Sequence, residues 1–320
     1  MNYTRNAVNV LTASAFKGIG SAWFVKNWQS DYSDLHIVEM LNRTLDVPIT
    51  IVEFEYKRHV IETLLLAGAD AMDGVIAIGD VGFPHVRGDV KNSERPVFLF
   101  YKGNLSLLSA NRYNVAVIGL LTPTPEIERR EQRVVEELVG RGVTIVSGLA
   151  LGCDSVAHRV ALEHGGKTIA ILPGPLTSIL PASNKPLAQQ ILAQDGLLVS
   201  EYLTEAKSKM ALSGRYQRRD RLQALFSDAV VLSASYAKNS QGLDSGSRLA
   251  MGYAASYGIP RAVIYDEAAS ADPMFDLNRQ YLREDASVVV IDTNALRQAI
   301  DVLQQLKPKT AKTSRQIAMF

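Results

Sequence analysis

From residue 114 onward, short aliphatic runs alternate with segments in which apolar residues recur every three or four positions. Runs of four or five aliphatic residues are typical of strands buried on both faces, and the three-to-four spacing is typical of amphipathic helices. The alternation predicts an α/β, Rossmann-like fold with a mainly parallel sheet and helices on both faces. The predicted strands are residues 115–118, 143–146, 168–172, 197–200, 229–233, 262–265 and 287–291, and the predicted helices are residues 125–141, 155–164, 185–193 and 248–257.

The N-terminal part has a different pattern, dominated by helical spacing. Helices are predicted within residues 7–28, 34–42 and 56–67, and Gly18-Ile19-Gly20 interrupts the first segment. Such a turn is either a tight helix–helix connection or a helix-hairpin-helix, whose loop amides can hold a DNA phosphate. Several glycine and proline turns then lead into an apolar strand before residue 104. We therefore expect a smaller, mostly helical domain of helix-hairpin-helix or SAM-like type over residues 1–90, a Rossmann-like domain over 91–305 and a basic tail over 306–320.

Composition narrows the class of protein without deciding its function. The 320 residues are 47% hydrophobic and 21% charged, which is typical of a globular protein. The single cysteine, Cys153, excludes a disulfide framework and a cysteine-based zinc site. The net charge of +1 neither favours nor excludes a nucleic-acid partner. Neither a membrane-spanning run nor a signal-peptide pattern is visible, so we expect a cytoplasmic protein that does not contact a membrane and needs no metal or cofactor.

A glycine turn follows the strand predicted at residues 143–146. Ser147 and Gly148 end the strand, and Gly152 precedes a helix that opens near Asp154, which is expected to cap it. A strand-to-helix turn of this kind offers backbone N–H groups and a positive dipole end to a phosphate. The alternative is packing and capping alone. His158 lies one helical turn after Asp154, and a buried histidine hydrogen-bonded to a neighbour is favoured over an acid–base pair.

An aromatic residue stands beside clustered arginines. Tyr216, Arg218, Arg219 and Arg221 lie within six positions. An aromatic ring can stack on an unpaired base and arginines can neutralise phosphates, so this cluster predicts nucleic-acid contact. The alternative is a solvated basic helix start with salt bridges.

A second small-residue turn precedes the helix predicted at residues 248–257. Ser245, Gly246 and Ser247 suit an anion at a helix N-terminus, and Arg248 adds a positive charge. An ordinary loop and helix cap is the alternative.

Several of these segments, in this order, resemble the DprA/Smf family of DNA-processing proteins. Cys153 replaces an isoleucine of the family pattern, and YQRRDR replaces the family's FPxRNR. The matching segments are FPHVRGDVKNSERPVFLFYKGN (83–104), VSGLALGCDSVAHRVAL (146–162), GGKTIAIL (165–172), GLLVSEY (196–202), YQRRDR (216–221) and the SGS turn (245–247).

The chain departs from the family at the end of the first predicted parallel strand. Gly119-Leu120-Leu121 replaces the family's Gly-Ser-Arg, and too little chain follows the last strand for the family's winged helix. Two leucines beside a phosphate path have no electrostatic benefit. We therefore expect both to be covered, by the N-terminal domain or by a partner protein.

The resemblance implies a binding protein rather than an enzyme, with no catalytic residue assigned. Such a protein holds single-stranded DNA in a basic groove over the carboxyl ends of the strands, acts as a homodimer and helps a RecA-type recombinase to load, in DNA recombination or natural transformation. The alternative is a Rossmann-like protein that binds or hydrolyses a nucleotide or a nucleotide-derived small molecule. The missing arginine and the near-neutral charge fit such a pocket better than a long DNA track, but the chain lacks the PGGxGTxxE signature of the related hydrolases, and DNA binding is the leading interpretation.

Overall fold

Within the part of the chain that the computed structural model describes, residues 2–238, 240 and 246–309, nine strands form one sheet. Their order is β1-β2-β6-β5-β4-β3-β7-β8-β9. All neighbours from β6 to β9 are parallel, whereas β2 is antiparallel to both β1 and β6. The predicted fold class is confirmed. The strands are β1 Gly74–Ala77, β2 Phe98–Gly103, β3 Asn114–Ile118, β4 Thr144–Ser147, β5 Thr168–Leu172, β6 Leu197–Ser200, β7 Ala229–Leu232, β8 Arg261–Ile264 and β9 Val289–Ile291.

Helices follow most of the strands and four precede the sheet. Most α-helices begin after a serine, threonine or glycine, and Thr50 and Glu53 form a complete capping box. The α-helices are α1 Arg5–Ser14, α2 Ser21–Asn27, α3 Asp34–Asn42, α4 Ile51–Ala67, α5 Pro125–Gly140, α6 Cys153–Glu163, α7 Lys185–Ala193, α8 Lys209–Leu225, α9 Gly246–Tyr257, α10 Asp276–Glu284 and α11 Leu296–Gln305. No described helix is long and apolar enough to cross a membrane.

The two faces of the sheet are covered by different helices. On one face α5, α6 and α11 enclose the apolar side chains of β3, β4 and β8, and on the other α8, α9 and α10 do the same. The four N-terminal helices and α7 share a further core with β1, β2, β5 and β6. All helical layers therefore bury their apolar side against one sheet.

The sheet extends further toward the N-terminus than the pattern of residues predicts. Strand β1 lies before residue 90, inside the predicted helical domain, yet it is hydrogen-bonded to β2 as the edge strand of the sheet. The junction between helices and sheet therefore precedes Gly74. The register pairs Ala77 with Phe98 and Phe100 with Ser200, so the end of β1 lies at the same edge of the sheet as the carboxyl end of β6.

The strand order reverses direction at β3. Strands β4, β5 and β6 follow one another on one side of β3, and β7, β8 and β9 on the other. In sheets of this type, ligands bind beyond the carboxyl ends of the strands, at or near such a reversal. We call this edge the carboxyl edge, and a ligand is therefore expected at the loops that leave β3, β4, β6 and β7 there.

Candidate nucleic-acid interface

The loop between β4 and α6 is already filled by one of its own carboxylates. Asp154 Oδ2 accepts hydrogen bonds from the backbone N–H groups of Gly148 and Ala150, each at 3.2 Å. The expectation that Asp154 caps α6 is wrong, because the N-cap residue is Gly152 and no side chain caps this helix. Asp154 instead occupies two amides that an incoming phosphate would need.

The buried guanidinium of Arg219 compensates the negative charge of this carboxylate. Its guanidinium lies 3.7 Å from Asp154 and 3.5 Å from Asp220, and all three side chains are buried. The approach is possible only because residue 148 is glycine, since a Cβ there would lie 1.5 Å from Arg219 Nη1 and 2.5 Å from Gln223 Nε2. Arg219 therefore supports the loop from within and is not an exposed phosphate contact.

We expect Gly148→Ala to expel Arg219 from this position. The overpacked methyl should lower the free energy of unfolding by about 1–3 kcal/mol. Gly214→Ala is the matched control, because a Cβ at Gly214, on the exposed part of α8, meets no atom within 4 Å. This control should be stabilised by up to about 1 kcal/mol, since alanine is the better helix former. Urea unfolding of both variants measures the difference, and equal stabilities would contradict the packing described for Arg219.

The backbone of the loop is held by a third element. Leu149 adopts a left-handed conformation with φ 57°, which is uncommon for a residue with a side chain. Asn184 Nδ2 donates to the carbonyl oxygens of Leu149 and Ala150 at 2.9 and 3.0 Å, and to the Ser155 hydroxyl at 2.9 Å. Three hydrogen bonds from one side chain thus hold the loop in this conformation without a ligand.

Arg221 is also buried, in a two-pronged ion pair. Its Nη1 and Nη2 donate to the two carboxylate oxygens of Glu201 at 2.9 and 2.7 Å, and Nη1 also donates to the Arg218 carbonyl. The side chains of Arg221 and Glu201 are 4% and 11% exposed. Arg221 thus joins α8 to the end of β6, because a buried carboxylate needs a cation. Its contact with nucleic acid stays a prediction, and the buried ion pair disfavours it.

The surface of this cluster is formed by Tyr216 and Arg218. Arg218 is exposed, and within the described part of the chain its guanidinium makes no hydrogen bond or ion pair. Tyr216 is half-buried, with the Arg219 guanidinium 5.7 Å from its ring centre. Beside them, Arg215 lies 4.1 Å from the ring centre of Tyr202. Tyr216 and Arg218 are two positions apart on α8 and therefore project from different sides of it, with Arg215 one helical turn before Arg218. We call this exposed part of α8, with its aromatic and cationic side chains and Tyr202, the Tyr216 surface.

The remaining predicted residues hold neighbouring strand ends together. The Ser147 hydroxyl donates to the Val117 carbonyl at 2.7 Å, and the Ser247 hydroxyl donates to the Gly119 carbonyl at 3.1 Å. Gly246 begins α9. A Cβ added at this glycine would lie 3.6 Å from Asp220 Oδ2. Arg248 is half-buried on the first turn of α9, and Ser245 lies outside the described residues.

The crevice between β3 and β7 is occupied by apolar side chains. Leu120 is 5% exposed, whereas Leu121 is 62% exposed. Residues of the Rossmann-like region, and not the N-terminal domain, cover Leu120. Leu121 is not covered within the described chain, and its covering by a partner protein stays a prediction. The cluster around Leu120 consists of Ile127, Cys153, Ala234, Ala269 and Phe275. This apolar filling disfavours a nucleotide pocket at the reversal point.

Two completely buried titratable side chains lie behind this edge. Glu131, on α5, lies beside Cys153 and Ser233, and burial raises its pKa from 4.5 to about 8. For His158, on α6, burial is the main cause that lowers its pKa from 6.5 to about 3. Both groups are therefore uncharged in the folded protein between about pH 4 and pH 7.

The buried histidine is structural. Its Nδ1 lies 2.6 Å from the Thr168 hydroxyl, which itself donates to the Ile145 carbonyl. Because the hydroxyl proton is used in that bond, the His158 Nδ1–H donates to Thr168. The expectation of a buried histidine bonded to a neighbour is confirmed, and the neighbour is Thr168 rather than Asp154.

These two groups predict a plateau of stability in mild acid. Unfolded Glu131 loses its proton near pH 4.5 and folded Glu131 near pH 8, so stability falls with rising pH between those values by about 1.4 kcal/mol per unit. Unfolded His158 gains a proton near pH 6.5 and folded His158 near pH 3, so stability falls with falling pH at a similar slope. The two slopes cancel between pH 4.5 and pH 6.5.

Urea unfolding at several pH values tests this assignment. The free energy of unfolding of Glu131→Gln should no longer decline above pH 6.5, whereas that of Glu163→Gln, an exposed control on α6, should still decline. An unchanged decline in Glu131→Gln would contradict this assignment.

Comparison with known proteins identifies the protein family of this chain. The family model described as DNA recombination-mediator protein A matches residues 74–301. The chain belongs to this family, DprA/Smf. The chain is 36% identical to DNA processing protein DprA of Streptococcus pneumoniae over 140 residues. The matched segment is 44% of this chain and 47% of that protein. For protein Smf of Escherichia coli the identity is again 36% over 140 residues, 44% of this chain and 36% of that protein. The chain thus matches less than half the length of these curated DprA/Smf relatives.

Two solved DprA structures resemble this fold over most of the chain. DprA from Streptococcus pneumoniae superposes with a TM-score of 0.68 at 24% identity, covering 93% of this chain and 99% of that one. DNA processing protein A from Helicobacter pylori superposes with a TM-score of 0.56 at 28% identity, covering 71% of this chain and 96% of that one, and its structure describes a single-stranded DNA binding mode. What a local motif does not show at the carboxyl edge is the pairing of Arg221 with Glu201, twenty positions earlier in the chain.

Proposed function

We propose that this protein binds single-stranded DNA across the carboxyl edge of its sheet. The observation that carries the proposal is the Tyr216 surface, where α8 presents a half-buried aromatic ring at Tyr216 and, two positions later, the exposed cation of Arg218. A ring face recognises an unpaired base and an exposed guanidinium attracts a phosphate, and duplex DNA hides the base faces. The family and the Helicobacter pylori relative that binds single-stranded DNA support this assignment.

The Tyr216 hydroxyl has no structural task that would confuse a test. Within the described residues it makes no hydrogen bond, while the ring is held against the Arg219 guanidinium. Tyr216→Phe should therefore leave affinity for single-stranded DNA nearly unchanged, whereas Tyr216→Ala should cost about 1–3 kcal/mol, the usual value of base–aromatic stacking. Fluorescence anisotropy with labelled oligothymidylate measures both. If Tyr216→Phe is as damaging as Tyr216→Ala, the hydroxyl and not the ring is the binding group.

The wider proposal rests on membership of the DprA/Smf family. The protein acts in the cytoplasm as a homodimer that holds single strands during DNA recombination or natural transformation and helps a RecA-type recombinase to load. A groove that continues across two subunits gains affinity through its second contact. Light scattering tests the dimer. The test for loading is the ATPase activity of a RecA-type recombinase on single strands coated with a single-strand-binding protein, which should rise with wild-type protein and not with Tyr216→Ala.

A further inference from the structure

The N-terminal helices contain a cavity of about 360 Å³ that the carboxyl-edge site does not use. Three aromatic side chains line it, Trp23 and Trp28 at the two ends of α2 and Tyr32 before α3. Trp23 and Trp28 have ring centres 6.3 Å apart at an angle of 56°, and Tyr32 lies 4.4 Å from the His36 ring. The cavity is therefore walled by flat aromatic surfaces.

Both indole rings are fixed by hydrogen bonds at their N–H edge. Trp23 Nε1 donates to the Thr44 hydroxyl at 2.9 Å, and Trp28 Nε1 donates to Asn6 Oδ1 at 2.8 Å. Phe24 packs against both rings, at centre distances of 5.2 and 5.3 Å. Because the rings are held before any ligand arrives, stacking on them costs little conformational entropy.

The charge of the cavity lining is positive. Lys26, at the end of α2, and Arg43, at the end of α3, line the cavity, and neither aspartate nor glutamate is among the described residues that do so. Both cations are exposed and, within the described chain, make no hydrogen bond or ion pair. Aromatic walls with cations at the opening match a base attached to a phosphate.

The cavity lies at the same edge of the sheet as the Tyr216 surface. Asn6, which holds Trp28, also donates to the Ile78 carbonyl at 3.0 Å, directly after the end of β1. The register places this end of β1 at the carboxyl edge. Four strand spacings, about 19 Å, separate β4 from β1, and the N-terminal helices cover the face of the sheet opposite to α8. A single strand that reaches both sites therefore has to pass around the carboxyl edge.

We infer that this cavity is a second nucleotide site, which holds one unpaired base and its phosphate from the same single strand that crosses the Tyr216 surface. The inference rests on the proposed function for its ligand, but it concerns different residues. Trp23 and Trp28 supply the stacking faces, and Lys26 and Arg43 neutralise the phosphate. The helical region thus extends the binding track beyond the Rossmann-like domain.

The chain provides a local reporter for this inference. Trp23 and Trp28 are its only two tryptophans, so intrinsic tryptophan fluorescence comes from this cavity alone. Titration of the full-length protein with oligothymidylate should quench this fluorescence saturably and protect it from acrylamide. In the double variant Lys26→Ala/Arg43→Ala, the oligonucleotide concentration that gives half-maximal quenching should rise by about fivefold or more. Such a rise is within the usual range for lost nucleic-acid contacts.

The matched control removes two exposed arginines from the opposite edge of the sheet. Arg112 precedes β3 and Arg283 lies in the last turn of α10, so Arg112→Ala/Arg283→Ala should quench as the wild type does. Anisotropy of labelled oligothymidylate is measured in parallel. Binding seen by anisotropy without tryptophan quenching, or quenching unchanged in Lys26→Ala/Arg43→Ala, would overturn the second site and leave the proposed function intact. Absence of binding in both measurements would overturn both.

Discussion

Replacing Arg221 with alanine is expected to lower the free energy of unfolding by about 3–5 kcal/mol, because the variant leaves the Glu201 carboxylate buried and without its cation. The neighbouring Arg218→Ala, which removes an exposed and unpaired arginine from the same helix, should change stability by no more than about 0.5 kcal/mol. Urea unfolding distinguishes the two arginines. Equal, small effects would mean that the Arg221–Glu201 pair is not buried as described.

The same pair separates a structural arginine from a DNA-binding one. Arg221→Met combined with Glu201→Leu replaces both charges with apolar groups, and such replacements of buried pairs are often neutral or stabilising. This double variant should therefore fold and keep its affinity for single-stranded DNA. A folded double variant with weaker binding would show that Arg221 reaches the DNA, as its position in the sequence motif suggests.

Leu120 and Leu121 are expected to respond in opposite ways to polar substitution. Leu120→Ser should cost at least about 2–5 kcal/mol of unfolding free energy, because it opens a cavity and buries a hydroxyl among Ile127, Cys153 and Phe275. Leu121→Arg should leave stability unchanged, since this side chain is 62% exposed. The Leu121 backbone lies beside Gly152, which precedes α6, so an arginine here should raise affinity for single-stranded DNA by about 1.5–3 kcal/mol, as expected for a hydrogen bond to a charged group.

Charge reversal at the same position is the control for this gain. Leu121→Glu has a similar exposure and should weaken binding through repulsion of the phosphates. Thermal unfolding and anisotropy of labelled oligothymidylate measure the two properties separately. Equal affinities for Leu121→Arg and Leu121→Glu would place residue 121 away from the DNA, and a stable Leu120→Ser would contradict the apolar filling of the β3–β7 crevice.

The strands of the parallel part of the sheet, β3 to β9, were predictable along the chain because each is a short, mostly aliphatic run. β5 and β6 begin and end where the sequence indicates. β1 was not predictable, because Gly74–Ala77 is only four residues long and is followed by a glycine-rich turn. Its assignment depends on pairing with β2, more than twenty positions later in the chain.

The candidate site was predictable in its location but not in the role of each residue. The arginines of residues 216–221 look alike in sequence, and only the fold shows that Arg219 and Arg221 point inward to Asp154 and Glu201 whereas Arg218 points to solvent. Arginine is rarely buried without a partner, and partners distant in sequence are not visible in a local pattern. The aromatic and basic residues of the N-terminal cavity did carry a signal, since Trp23, Lys26 and Trp28 lie within six positions.

The most direct test of the central claim is the salt dependence of binding to single-stranded and duplex DNA. Affinity for labelled oligothymidylate should exceed affinity for a duplex of equal length, and should fall with salt by a log–log slope of about −0.7 for each phosphate contact. Arg218→Ala should make that slope shallower by about 0.7, whereas Arg112→Ala, at the amino ends of the strands, should leave it unchanged. Equal affinity for both forms of DNA, or the same slope in wild type and Arg218→Ala, would contradict single-strand binding at the Tyr216 surface.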